Sequence, residues 1–212
     1  QSIEIPDSVT EIGASAFSDC SVLGKVKLSK GLEKLGGSAF GNCDQLTEVE
    51  IPKNLKEADY ANAFYDGPFY HCKGLKTVRF EEGTTRIARL LFAGCTVLEE
   101  IVIPDTVISI DYNAFYECNN LQDVTIGENV TKINSCAFWK CASLQSIEIP
   151  DSVTGIGESV FRECSELQEA YIADSVINIG NSTFSGCTKL EKVHIPNTRQ
   201  NIVDSMFYNC TS

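Results

Sequence analysis

Phenylalanine recurs at positions 17, 40, 69, 92, 115, 138, 161, 184 and 207, so that every step is 23 residues except one of 29. A cysteine follows each of them three residues later, at 20, 43, 72, 95, 118, 141, 164, 187 and 210. Leucine lies three further on, from Leu23 through Leu190. Next comes an alternating apolar pair, such as Ile101 and Ile103 or Ile147 and Ile149. A turn that often reads Pro-Asp-Ser or Pro-Asp-Thr leads to a second pair spaced by three, such as Val153 and Ile156. A fixed period of this size marks a solenoid, in which each unit buries its apolar face only against its neighbours. The nonapeptide QSIEIPDSV, at residues 1–9 and again at 145–153, keeps the same register; residues 1–20 and 145–164 agree at 15 of 20 positions. The chain reads as one solenoid spanning 1–212, about nine coils with a six-residue insertion within 59–68, and as a piece of a longer array.

Each unit divides into elements. Leu-x-x-Val-x-Ile places alternate side chains on opposite faces, which is a short strand. Proline and aspartate end it in a turn that proline presets. Val-Thr-x-Ile-Gly reads as a second, less regular extended piece. Ala-Phe-x-x-Cys is too short for a stable helix and reads as a 3₁₀ or single α turn. Equivalent strands of successive coils pair in parallel ~4.8 Å apart, so nine coils make a slab about 40 Å long. A disulfide needs Cβ atoms at ~3.8 Å, so this spacing reads the cysteine column as a ladder of buried free thiols, with scattered disulfides as the alternative. Cys136 stands outside the column and is the one candidate for a paired or reactive thiol, with an inert free thiol as the favoured reading. Ala58 and Thr84 beside the insertion, Ala170 on one strand and Arg199 in the last coil depart from the pattern and mark soft spots.

The unit C-x-x-L-x-x-[VI]-x-[IL]-P-x-x-[VL]-x-x-I-G-x-x-[AV]-F-x-x-C resembles the BspA-like, or Treponema pallidum-type, class of leucine-rich repeats. Residues 141–164, CASLQSIEIPDSVTGIGESVFREC, are similar to that family's consensus. The resemblance implies an α/β, mostly β, fold: a right-handed β/α superhelix with a parallel sheet on its concave face. It implies a secreted or cell-surface location and a role like that of adhesins that contact host extracellular-matrix glycoproteins such as fibronectin and fibrinogen. It carries over no catalytic residue. The expected function is a non-catalytic protein-binding module, with a structural spacer that presents another domain as the alternative.

Strand residues between the apolar pair point away from the core in a column: Glu4, Lys27, Glu50, Arg79, Val102, Thr125, Glu148, Tyr171 and His194. A second outward column runs Ser2, Lys25, Glu48, Thr77, Glu100, Asp123, Ser146, Glu169 and Lys192. Solenoids bind partners on such a surface. In the first coils Lys25 and Lys27 sit beside Glu48 and Glu50, and such cross-strand pairs stabilise a sheet by ~0.2–1 kcal/mol each without any ligand. Arg79, Glu148, Tyr171 and His194 are the candidate contacts on this face. Tyr60, Phe64 and Tyr65 crowd the insertion and are further candidates, because exposed aromatics make good anchors. A loop folded back onto the coil is the alternative there.

The net charge of −12 argues against nucleic acid and against an anionic membrane surface, both of which need a basic face. No run of 18 apolar residues occurs, so no membrane insertion is expected. Neither catalysis nor a cofactor is expected. The two histidines, His71 and His194, lie on the order of 25 Å apart at solenoid spacing. His71 neighbours Cys72, but that thiol belongs to the buried ladder. No Cys-x-x-Cys pair offers zinc two ligands, and no Gly-rich phosphate loop, HExxH or GxSxG is present. Sequons at Asn129, Asn181 and Asn209 are no more than chance supplies in a chain of this size.

Overall fold

The structure is a computed structural model that describes residues 1–59, 66–197 and 202–212; Tyr60, Phe64, Tyr65 and Arg199 lie outside them. Within the described residues each coil holds a strand of three or four residues, a turn, a strand of two residues, and a run of turns that returns to the start. The longer strands are Ser2–Glu4, Lys25–Lys27, Glu48–Ile51, Thr77–Phe80, Glu100–Val102, Asp123–Thr125, Ser146–Ile149, Glu169–Ile172 and Lys192–His194. The shorter ones run from Glu11–Ile12 to Asn178–Ile179 on a second face. Pairing is parallel throughout, with Ser2 opposite Lys25, Ser146 opposite Glu169 and Glu169 opposite Lys192. Along the second face the ladder of short strands breaks between Glu57–Ala58 and Arg86–Ile87, where the insertion falls.

The alternation expected of the longer strands is present. Ile147 and Ile149 are buried while Ser146 and Glu148 are exposed. Ala170 fills an inward position without shortening its strand, since Glu169–Ile172 has four residues. Thr84 is buried, and its hydroxyl donates to the Glu81 carbonyl at 2.7 Å.

Inside the coils the phenylalanines form one continuous stack. Phe40, Phe69, Phe92, Phe115, Phe138, Phe161 and Phe184 have no exposed surface. Neighbouring rings lie nearly parallel, from 5.1 Å for Phe115 and Phe138 to 6.2 Å for Phe69 and Phe92, within the range that offset stacking favours. The thiols run beside them and all ten are free. Each buried thiol donates to the carbonyl of the phenylalanine one coil earlier, as Cys118 does to Phe92 at 3.2 Å and Cys187 to Phe161 at 3.1 Å.

The turn segment differs from expectation. Among the described residues no helix forms, so the chain is a mostly β solenoid rather than a β/α one. Ala-Phe-x-x-Cys closes i→i−3 hydrogen bonds, as the expected 3₁₀ turn does, but left-handed residues between them keep it from becoming a helix. Its backbone amides alternate in direction. Tyr116 N and Cys118 N donate within the coil, to Asn113 O and Phe115 O, at 3.1 and 3.2 Å. Between them Phe115 N and Glu117 N donate to the next coil, to Ala137 O and Trp139 O, at 2.8 and 3.0 Å. A helix would spend every amide internally. Here half of them build a third ladder between coils, and the left-handed residues Asn113 (φ 56°) and Glu117 (φ 58°) turn them outward. Such a φ is unfavourable for a residue with a side chain, and the inter-coil bonds offset it.

Close stacking also limits side chains on the second face. A Cβ on Gly157 would sit 2.4 Å from Ser135 N of the preceding coil. The equivalent position holds Asp111 two coils earlier, and that carboxylate is buried. Arg86 bonds its Oδ2 through two nitrogens, while Asn134 Nδ2 (3.3 Å) and the Ser109 hydroxyl (3.4 Å) reach Oδ1 only weakly. Arg86→Met should therefore lower stability by about 1–3 kcal/mol, because the buried carboxylate loses its strong donors. Urea unfolding of the two proteins measures this.

Candidate protein-binding face

The outward residues of the longer strands form the two columns that their spacing implies. Glu50 lies opposite Arg79, and Glu148, Tyr171 and His194 are neighbours on three successive strands. Arg79, Glu148 and Tyr171 are exposed and His194 is half-buried. Arg79 is not part of the Glu148–Tyr171–His194 group, since three strand steps separate it from Glu148, about 14 Å.

The two halves of this face differ in charge. In the first half the cations are paired: Glu48 holds Lys25 at 3.8 Å and Arg79 at 3.5 Å. Lys27 lies between Glu4 and Glu50 and bonds to Glu4, not to Glu50. An open groove of about 980 Å³ runs over this half, with Lys25, Lys27, Glu50 and Arg79 in its walls. A second groove of about 400 Å³ lies over the later coils, between Thr125, Glu128, Glu148, Asp151 and Tyr171.

Tyr171 is 45% exposed, and one face of its ring is stacked on His194 at 4.6 Å and 14°. His194 Nε2 points towards Asp174, 3.7 Å from its Oδ1. The Asn197 backbone N–H, at 2.9 Å, is the main influence that holds the Asp174 carboxyl below the usual carboxylate range, and His194 adds to it. The imidazole thus lies between the Asp174 carboxylate and the tyrosine ring, with Nε2 beyond hydrogen-bond distance of Asp174.

The sequence reading did not single out Glu128 and Asp151, the turn carboxylates that close the second groove. It also missed a cluster on the turn face. Lys140 Nζ lies over the rings of Tyr116 and Trp139, at 5.5 and 5.6 Å, and Arg162 also lies over Trp139, at 5.2 Å. Glu117 binds Lys140 at 2.8 Å, so the cluster is compensated from within and serves packing. Its signal was available: Tyr116, Trp139 and Arg162 each follow a core phenylalanine by one residue. Tyr70, at the same offset, stacks on His71 at 3.9 Å and packs over Gly94, so it folds back onto the coil. Cys136 is free and half-buried, and burial pushes its thiol up; it is neither paired nor activated. Among the described residues no group of three His, Cys, Asp or Glu is placed to hold a metal ion, and no helix is long and apolar enough to cross a membrane.

The BspA type leucine-rich repeat region, in six copies, matches residues 1–97, 58–167 and 85–212. A comparison with curated protein sequences gives no match. Among solved structures, a leucine-rich repeat protein from Bacteroides ovatus is 32% identical, with a TM-score of 0.73 over 90% of this chain and 48% of its own. The T. pallidum leucine-rich repeat protein is 27% identical, with a TM-score of 0.60 over 77% of this chain and 65% of its own. A leucine-rich cell surface protein from Faecalibacterium prausnitzii is also 27% identical, with a TM-score of 0.58 over 93% of this chain and 60% of its own. The chain therefore spans about half to two thirds of the length of these proteins. With its repeat matched from end to end and its coils superposing on theirs, the chain belongs to the BspA-type leucine-rich repeat family.

Proposed function

We propose that this chain is a non-catalytic protein-binding module and that the outer side of its longer-strand sheet is the contact surface. The observation that carries the reading is an uncovered strand face with an exposed tyrosine, on the eighth of its nine longer strands, stacked on His194. An aromatic ring already fixed by a stacking partner loses little conformational freedom on binding, which is what makes such residues effective anchors. Family membership supports the reading, since repeat arrays of this kind bind proteins on an extended face. A cell-surface or secreted location is part of the proposal, supported by the description of the Faecalibacterium relative as a cell surface protein. The partner class proposed from the adhesin resemblance is a host extracellular-matrix glycoprotein.

Immobilised fibronectin and fibrinogen provide the test. The chain should bind at least one of them, and Tyr171→Ala with His194→Ala should weaken that binding by about tenfold or more, as loss of an aromatic anchor does. Full binding by the double variant would place the contact elsewhere. No binding to either glycoprotein would remove the matrix reading.

A further inference from the structure

From the charge left uncompensated on the later coils, we propose that this half of the face receives an extended segment rich in arginine or lysine, with one cationic side chain seated between Glu148 and the ring of Tyr171. This rests on the protein-binding reading above and names the chemistry of the partner.

The later strands carry Glu100, Asp123, Glu148 and Glu169 outward, and the turns beside them carry Asp105, Glu128, Asp151 and Asp174, all exposed. Against these carboxylates stand Lys192, paired with Glu169 at 3.6 Å, and His194 beside Asp174. Glu128, Glu148 and Asp151 have no ion-pair partner among the described residues. The earlier half of the same face is different, because its cations meet carboxylates on adjoining strands. Like charges on neighbouring strands destabilise a sheet, so docking of a cationic chain would relieve a repulsion that the fold itself leaves in place.

Geometry selects the anchor. Tyr171 lies between Glu148 and His194 in the register. His194 covers one face of its ring, so the other face is turned to the Glu148 side, where the groove opens. A guanidinium or ammonium placed there meets an aromatic face on one side and carboxylates of Glu148, Asp151 and Glu128 on the other. Cation–π attraction and ion pairing then act on the same group. The outward columns rise ~4.8 Å per coil and an extended chain ~3.4 Å per residue, so four successive coils match about five residues of a segment lying across the strands.

The probe is a fluorescein-labelled Arg-Ser-Arg-Ser-Arg peptide, with Glu-Ser-Glu-Ser-Glu as its control, followed by fluorescence anisotropy at low and at physiological salt. The basic peptide should bind, the acidic one should not, and binding should weaken as salt rises. Glu148→Gln with Asp151→Asn should reduce affinity by about tenfold or more, and Tyr171→Leu by about fivefold, while Glu57→Gln on the second face leaves it unchanged. Thermal unfolding confirms that each variant stays folded. Absence of binding by the intact chain at low salt overturns the proposal, as does equal affinity in the Glu148/Asp151 variant. So does a concentration-dependent dimer abolished by that variant, which would make a second copy the occupant. Matrix binding that is lost in the Tyr171/His194 variant without any peptide binding would leave the protein-binding reading standing and remove this one alone.

Discussion

Raising the pH from 8 to about 10.5 should unfold this protein cooperatively, and the buried thiols are the reason. Exposed cysteine has an ordinary value of 9.0; burial pushes Cys72 and Cys187 up to about 12 and drives Cys95, Cys118, Cys141 and Cys164 higher in the same direction. In the unfolded chain these six thiols ionise from pH 9 upward, whereas in the folded chain they stay protonated. The folded state therefore binds more protons above pH 9, and stability falls as pH rises. The contribution is fully present below pH 9 and is lost on the way to the folded-state values. Each thiol removes about 0.8 kcal/mol by pH 9.5 and about 1.4 kcal/mol by pH 10, so six remove about 5 and then about 8 kcal/mol. Losses of that size rival the whole stability of an ordinary domain, about 5–15 kcal/mol. Circular dichroism followed against pH, with thiolate absorbance recorded in parallel, measures both events, and they should coincide. Cys141→Ala with Cys164→Ala should cut the protons released on unfolding from about six to about four. A native spectrum at pH 11, or thiolate absorbance that rises well before the structure is lost, would show that the column is not sealed from water.

The solenoid and its outward columns were legible because one pattern is written many times. A single Leu-x-x-Val-x-Ile could be a fragment of many folds. Repeated at a constant step, it fixes which residues stack, and Glu148, Tyr171 and His194 are adjacent for that reason. The turn face was not legible. Ala-Phe-x-x-Cys has local composition compatible with a helical turn, and what decides its course is where alternate amides find acceptors, in the next coil. No single coil contains that information. Nor do the left-handed positions carry one residue type: serine, asparagine, leucine, glutamate, lysine and cysteine all occupy them. The choice of Lys27 for Glu4 over Glu50 was equally hidden, since both carboxylates lie on strands beside it and side-chain rotamers decide between them. The acidic border of the later groove stood in the sequence as ordinary turn residues; only the path of the turns brings Glu128 and Asp151 into one groove with Tyr171.

Phe138→Ala should lower stability by about 3–5 kcal/mol, the range for deleting a buried aromatic side chain from a core that cannot close around the gap. Phe138 is fully buried between Phe115 at 5.1 Å and Phe161 at 5.7 Å, both rings nearly parallel to it. The surrounding backbone is fixed by inter-coil bonds: Phe138 N donates to Val160 O at 3.0 Å, and Phe138 O accepts from the Cys164 thiol at 3.2 Å. Collapse into the cavity would break those bonds, so the void remains. In a stack where each coil touches only its neighbours, the lesion weakens two successive interfaces at once, and the chain on either side becomes free to unfold separately. Guanidinium unfolding should then change from one transition to two, or to a markedly broader one. Phe17→Ala supplies the comparison. Phe17 is half-buried and stacks on Phe40 alone, so its loss disturbs one interface and leaves a site that water can enter. Its cost should be less than half that of the central substitution, with the transition still single. Equal losses at the two positions would mean that the phenylalanine column does not couple the coils, and that the ladders of backbone hydrogen bonds hold the stack together without it.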